Sequence, residues 1–582
     1  MTLMRSLVSH VAWRVRAWPL AVILALAPLW LVGILDRGLW TPDEPREADI
    51  AWRMSQQSDR TLPQLAGTPF LEKPPLSYWL SAATISTFGE SPAAARAPNI
   101  FYAIVAALAV GAIAYTMAGS ATAFLTALLA GTALIAFRVA VWLAPDAGLF
   151  AGCAIALLGA YVGYTAPPGR RKLLFYSLMH LGAAFGFMAK SAPGWLVPAL
   201  ALIALIVWER RWSELRRWEL YAGFVLQALI IGPWIYSVAL TPIGHDALLA
   251  FFWHNVVGRF TKVSGPSVLD YTTAHQNWPG KYFLELPVYL FPWTLLAVAA
   301  LGRAWTRIRT PGAQGTPWRF AIAAVLPFLV ILSVAATARD IYAAPALLGL
   351  SVLIALWANE SHGQPNRLDR FVLRGTRVLV ALITLFFAGF AGFVATRGYP
   401  LGSAALVIVV AGVALVLAAR AQRQGDVQRS VAWTYGAYVG ALCIAAVTAF
   451  PTVDEWQDLP RIAAAIHRDA QGKPLSVLNP DETTIAMLDD RLLTPFSILT
   501  AQGTNTEQVV ADWFRSHGRS ALVLVNLPGH APGPVTQLMS RIRPVKPPGD
   551  GIVGVLTAKG VASVVQRYEL PQGRRYALLG PP

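Results

Sequence analysis

The sequence predicts an all-α polytopic membrane protein that closes with a small α/β domain outside the lipid. Three observations predict it: the apolar composition, the recurrence of long apolar stretches, and the distribution of positive charge. Of 582 residues, 55% are hydrophobic and only 13% are charged, with a mean hydropathy of +0.50. A soluble core of this size would not hide that much apolar surface, so lipid is the solvent. Apolar stretches near the ~20 residues that cross a bilayer recur along the first 450 positions, which excludes a single anchor. The formal charge of +16 forms no single patch. Arg and Lys fall in alternate loops, which excludes the nucleic-acid reading that such a charge would otherwise invite.

Taken in order, the chain opens with three Arg in residues 1–17, leading into an apolar run over 18–35. This resembles a signal peptide, but Leu35-Asp36-Arg37 stands where a small-residue cleavage site would be, so a retained first helix is expected. Further spans are expected near 97–117, 121–141, 146–165, 173–189, 193–208, 219–238, 284–302, 320–337, 343–358, 376–395, 402–418 and 430–450, about thirteen in all. The basic loops are Arg5, Arg14 and Arg16; Arg170, Arg171 and Lys172; Arg210, Arg211, Arg216 and Arg217; Arg303, Arg307 and Arg309; Arg367, Arg370, Arg374 and Arg377; and Arg420, Arg423 and Arg429. The positive-inside rule puts them on the cytoplasmic side of a cell inner membrane.

An odd number of spans puts the C-terminus on the opposite, periplasmic side. The division expected is therefore a membrane domain over 1–450 and a periplasmic α/β domain over 451–582. The second alternates helix-like runs such as Gln508–Ser516 with strand-like runs such as Ala521–Leu527 and Ala562–Tyr568. Two long outer loops, 36–96 and 239–283, gather carboxylates, cations and aromatics beside the bilayer and are the expected place of function. Helix-like patterning at Glu47–Gln57 and Leu76–Phe88 predicts surface helices within the first of them. Cys153 and Cys443 both lie in apolar stretches, so neither a disulfide framework nor redox chemistry is expected.

Three constellations carry chemistry. Trp40-Thr41-Pro42-Asp43-Glu44-Pro45-Arg46 follows the first helix. Two adjacent carboxylates and an Arg held between prolines suit polar or phosphate contacts at a headgroup, while the plainer reading makes the acids caps of the next helix. Phe70-Leu71-Glu72-Lys73-Pro74-Pro75-Leu76-Ser77-Tyr78-Trp79 lies in the same loop. Its prolines restrict the backbone around an ammonium able to meet a phosphate; an interfacial anchor explains Tyr78 and Trp79 but not the Glu-Lys pair. Asp146, after Pro145 at the outer mouth of a span, is costly there unless paired or hydrated, with a helix cap as the competing role. Lys190, between the fifth and sixth spans, poses the same question with the opposite sign.

Asp-Glu-Pro-Arg after the first helix, Glu-Lys-Pro-Pro-Leu-x-Tyr-Trp about thirty residues on, and then Arg96 and Asp146 resemble the lipid-A aminoarabinose transferase branch of the protein O-mannosyltransferase-like glycosyltransferases. The resemblance continues through Trp253-His254-Asn255, Arg259-Phe260, His275, Pro292-Trp293, Arg339, Tyr342 and Pro345, over essentially the whole membrane region. It implies a GT-C fold and transfer of a sugar, 4-amino-4-deoxy-L-arabinose or another amino sugar, from an undecaprenyl-phosphate carrier to lipid A at the periplasmic face. The sequence has no Gly-rich dinucleotide or P-loop signature for a nucleotide sugar.

By the resemblance, Lys73, Arg259 and Tyr342 contact the carrier phosphate, with Arg46 beside them, and take up its developing charge. Asp43 and Asp146 match the essential acids, with Glu72 as a further catalytic candidate. Asp43 would be general base toward a hydroxyl acceptor, but would orient a lipid-A phosphate that is already ionised. Glu44, Arg96, Lys190, His275 and Arg339 complete the candidates. Some relatives of this type hold a divalent metal; Glu72 or His275 would serve here, though one Glu and one His make no recognisable metal site. The stretch His275-Gln276-Asn277-Trp278-Pro279 departs from the His-x-x-Pro-Phe-Trp of close relatives, and 451–582 carries no family motif.

Two other readings fit parts of the sequence. A protein O-glycosyltransferase would use the same carrier with a peptide-shaped acceptor cavity. A flippase for polyprenyl-linked sugars would place charge near the bilayer midplane, often on paired broken helices, whereas the charge here gathers at the outer face.

Overall fold

A computed structural model describes residues 17–259, 277–335, 339–398, 404–491, 495–501, 505–527 and 550–582. They form two compact units, one of Met1–Asp36, Met54–Pro63 and Phe70–Ala449 and another of Arg37–Arg53, Gln64–Pro69 and Phe450–Pro582. The expected division at 450 placed the whole of loop 36–96 with the membrane domain. Two of its segments, including the Asp-Glu-Pro-Arg motif, instead pack with the C-terminal residues.

The first unit is a multi-pass membrane bundle. Among the described residues, nine helices are long and apolar enough to cross a bilayer, two bent helix pairs are so when each is taken together, and Trp18–Ile34 and Pro193–Glu209 are shorter apolar helices. These correspond one for one to the thirteen expected spans. Two differ in shape from the straight helices expected over 121–141 and 284–302. Ser120–Thr132 and Leu134–Val141 meet at 72°, and Lys281–Tyr289 and Thr294–Arg307 at 118°. Pro287 lies inside one arm of the second pair, and Pro292, which has no amide hydrogen, in its elbow. In the first pair Ala133 is extended, with ψ 139°, and the Leu134 N–H that its bend releases donates to the Phe291 carbonyl at 2.9 Å. The Trp293 indole N–H reaches the Thr132 hydroxyl at 3.1 Å. Each break thus supplies a partner that the other needs in a medium without water.

The second unit is built on a five-stranded sheet. Its strands are β3 (Leu475–Leu478), β4 (Phe496–Leu499), β5 (Leu522–Asn526), β6 (Ser563–Glu569) and β7 (Arg575–Gly580), while β1 (Gln64–Leu65) and β2 (Thr68–Pro69) form a separate two-stranded ribbon. The sheet order is β4-β3-β5-β7-β6. β3 pairs parallel with β4 and β5, and β7 pairs antiparallel with β5 and β6. Alternate residues feed two apolar layers. Leu475, Val477, Leu522, Leu524 and Leu578 meet Ile462 and Ile466 on one face. Val523, Val525, Ala577 and Leu579 meet Val510, Phe514, Val553 and Leu556 on the other. Burial on both faces explains why the central strands read as continuous apolar runs.

Candidate functional site

In the membrane unit the site begins with a close helix pair. Asp146–Thr165 and Arg170–Lys190 run antiparallel across a four-residue turn. A Cβ on Gly152 would lie 2.5 Å from the Gly186 nitrogen and 2.8 Å from the Gly182 carbonyl oxygen. Only glycine allows that approach, the small-residue packing typical of membrane helices. Because the helices are almost equal in length, the first residue of one and the last of the other come to the same end. There Lys190 Nζ forms an ion pair with the Asp146 carboxylate, the two side chains being 13% and 8% exposed. The ammonium also lies 4.7 Å from the centre of the Tyr342 ring, a cation–π contact. Three separately expected residues therefore form one cluster.

Glu72 and Lys73, just before the helix Leu76–Phe88, stand at the same end. A Cβ on Gly148, two residues into the Asp146 helix, would meet the Ser77 hydroxyl at 3.4 Å. Lys73 is buried and its ammonium lies 3.5 Å from the Glu72 carboxylate. Arg138, on the outer arm of the first bent pair, pairs with Asp340 at 2.5 Å. The Tyr282 hydroxyl donates to the Arg339 carbonyl at 3.0 Å, and Asp340 and Tyr342 share the 3-10 turn that follows. Arg96 is fully buried and donates to the Ile34 carbonyl at 2.5 Å. That contact satisfies an orphan carbonyl at the end of the first helix, a structural role. An apolar groove of about 810 Å³, lined by Trp195, Pro198, Leu202, Phe224, Ala228 and Ile231 among others, runs along three helices of the same unit.

The second unit holds the Asp-Glu-Pro-Arg turn, which enters the helix Glu44–Gln56. Glu44 takes two bonds from Arg37, at 2.5 and 2.7 Å, and the Trp40 N–H at 2.7 Å. Both members of that ion pair are completely buried, so Glu44 serves the turn, close to its plainer reading as a cap. Arg46 lies 2.6 Å from Glu47 and 3.5 Å from Asp43, and also pairs with Glu482. Asp43 and Asp146 are each 6% exposed. Each sits against a cation, which offsets the cost of burying its charge.

Sequence reading missed Asp49, Arg53, Glu482 and Asp489. Asp49 is fully buried on the Glu44–Gln56 helix, beside Arg53, which reaches both Asp49 and Asp489. Burial first, and the neighbouring Asp489 carboxyl second, push the Asp49 carboxyl up to about 9. The signal was the spacing of Arg46, Asp49 and Arg53 on one helical face. His275 and the side chains of His254, Asn255 and Arg259 lie outside the described residues. Among the described residues no three His, Cys, Asp or Glu side chains gather as a metal donor set. Of the two metal candidates, Glu72 has the Lys73 ammonium 3.5 Å from its carboxylate, and His275 is outside the described residues.

Comparison with known proteins gives the context. A family model described as dolichyl-phosphate-mannose-protein mannosyltransferase matches residues 72–236, the stretch that holds Glu72, Lys73, Asp146 and Lys190. The chain is 27% identical over 347 residues to an undecaprenyl phosphate-alpha-4-amino-4-deoxy-L-arabinose arabinosyl transferase of Serratia proteamaculans, covering 59% of this chain and 60% of that one. To the protein of the same name from Pseudomonas paraeruginosa it is 30% identical over 386 residues, covering 64% and 65%. The matches thus span about three fifths of these relatives' length. The crystal structure of ArnT from Cupriavidus metallidurans bound to undecaprenyl phosphate superposes with a TM-score of 0.69, covering 96% of this chain and 98% of that one at 19% identity. The fold is therefore shared with that structure along nearly the whole length, and the sequence is similar to the arabinosyl transferases over about three fifths of theirs.

Proposed function

We propose that this protein transfers 4-amino-4-deoxy-L-arabinose, or a closely similar amino sugar, from undecaprenyl phosphate to lipid A on the periplasmic face of the inner membrane. The observation that carries this reading is the run of relatives sharing one arabinosyl transferase name at 27–30% identity. The buried Asp146–Lys190–Tyr342 cluster beside Glu72-Lys73 supports it.

In the reaction the bond between the anomeric carbon and the carrier phosphate oxygen breaks, and a bond to the acceptor oxygen forms. The carrier phosphate leaves with an added negative charge. Lys73 and Tyr342, with Arg259, are the proposed contacts of that phosphate and lower the cost of its charge. Lys190 holds Asp146 and supports the Tyr342 ring, so it acts as a positioning residue. Asp43 orients an ionised lipid-A phosphate, or removes the proton of a hydroxyl acceptor. The apolar groove suits a prenyl chain. Orientation follows from the Arg-rich loops, which leave every candidate residue on the other side.

Mass spectrometry of lipid A from cells with and without the protein tests the reading. An added amino-pentose mass only when the protein is present supports it, and identical lipid A refutes it. Cysteines placed at the exposed Ser58 and Ser516 should react with an impermeant thiol reagent in spheroplasts. One at His362, whose side chain is 51% exposed, should not, and labelling of the His362 variant alone would invert the topology.

A further inference from the structure

We infer that the first turn of the helix Glu482–Arg491, through Glu482 and Thr483, positions the Asp43–Arg46 turn for the reaction. The inference rests on the reading that this turn serves sugar transfer, and it assigns a task to C-terminal residues that carry no family motif.

The turn is held at four points by residues far along the chain. Asp454 accepts the Gly38 N–H at 3.0 Å and the Trp40 indole N–H at 2.6 Å. The Gln457 side-chain oxygen accepts both the Thr41 N–H and the Thr41 hydroxyl at 2.9 Å. The Thr483 hydroxyl donates to the Pro42 carbonyl at 3.0 Å, and Glu482 pairs with Arg46. The last two matter most for chemistry, because they bracket Asp43. The Pro42 carbonyl belongs to the peptide plane that leads into Asp43, so holding it fixes that plane. Arg46 is the cation facing the Asp43 carboxylate, and Glu482 fixes the direction of its guanidinium.

A second ion pair repeats this contact seven residues on, where Arg53 meets Asp489. Two helices whose partners recur at the same interval run side by side in one direction, in register over about 10 Å.

Fold stability does not require these contacts. The domain's apolar layers lie on its sheet, and Glu482 is the first residue of its helix, outside both layers. When Glu482 is neutralised Arg46 still faces Glu47 and Asp43, so its charge is not left uncompensated. Arg46 is only 8% exposed, with Glu47, Asp43 and Glu482 around it. Of the three carboxylates, only Glu482 comes from outside the turn's own helix entry.

Glu482→Gln and Thr483→Val in the full-length protein in nanodiscs test the assignment. Hydrogen exchange of the backbone amides over 43–49 should quicken by about tenfold while the melting temperature stays at the wild-type value. Turnover with the undecaprenyl-phosphate-linked sugar should fall by about tenfold with little change in the donor KM, and Glu482→Asp should recover part of it. Unchanged exchange in both variants overturns the inference. So does faster exchange with unchanged turnover, or a loss of turnover that merely follows a lower melting temperature. Should the wild-type protein transfer no sugar, the proposed function falls, and exchange alone then decides whether these residues hold the turn.

Discussion

Asp146→Asn is the substitution whose outcome the structure changes most. Were Asp146 an exposed acid, its replacement would cost little in folding. In the structure its side chain is 8% exposed and faces an ammonium that is 13% exposed, so the substitution leaves Lys190 charged in a dry site. Removing one partner of a fully buried pair costs ~3–5 kcal/mol. The asparagine carbonyl still accepts a hydrogen bond, worth about 1 kcal/mol. The Tyr342 ring, 4.7 Å away, retains a cation–π attraction of about 1 kcal/mol. The expected net loss is about 1–3 kcal/mol. Lys190→Met added to Asp146→Asn removes the stranded charge and should restore most of that stability without restoring transfer. A double-mutant cycle from denaturant melts in nanodiscs, with lipid-A transfer assayed alongside, measures both. If Asp146→Asn melted with the wild type, or the double variant were no more stable than Asp146→Asn, the ion-pair reasoning would be wrong.

Other outcomes follow from the same contacts. Lys73→Ala should weaken undecaprenyl-phosphate binding by ~1–3 kcal/mol, and Arg259→Ala likewise, with Arg259→Lys recovering only part; unchanged affinity by calorimetry removes the phosphate role. Lys172→Met should destabilise the bundle by ~1–3 kcal/mol, since Lys172 and Glu214 are 1% and 3% exposed and 2.8 Å apart, while Glu214 keeps Arg211 at 2.7 Å and the Tyr176 hydroxyl at 2.9 Å; a melt at the wild-type midpoint contradicts this. The Asp49 carboxyl, pushed up to about 9, keeps its proton when folded where the unfolded chain has lost it. The folded state then holds the extra proton between roughly pH 4 and 9, so this contribution is complete below that window and is lost as pH rises through it. Asp49→Asn should flatten that decline in melts between about pH 5 and 8, and identical slopes would exclude the protonated carboxyl.

The spans were legible because length and apolarity suffice to find them, and the Arg-rich loops fix their ends. Their bends were only half legible. Pro287 and Pro292 stand in the sequence at one break, but nothing around Ala133 marks the other, whose released amide finds its partner on Phe291. For the site, Asp146 and Lys190 were each singled out by the cost of charge at that depth. Pairing them needed the antiparallel register of their two helices. Glu482 and Asp489 were illegible for the same kind of reason: each is an ordinary helix acid until a distant Arg is brought to it. Arg96 shows the opposite case, a residue of the motif order that the fold uses to close the end of a helix.

The bond between Leu134 and Phe291 also bears on how the bundle is assembled. The ribosome delivers Leu134 to the bilayer long before Phe291 exists, so the earlier elbow must wait with an unanswered amide until the later one arrives. During that interval a straight helix is the better solution for residues 120–141 in lipid. The elbow is therefore a late acquisition, set when the second bent pair docks, and any variant that keeps the later pair from docking should release the earlier pair to straighten.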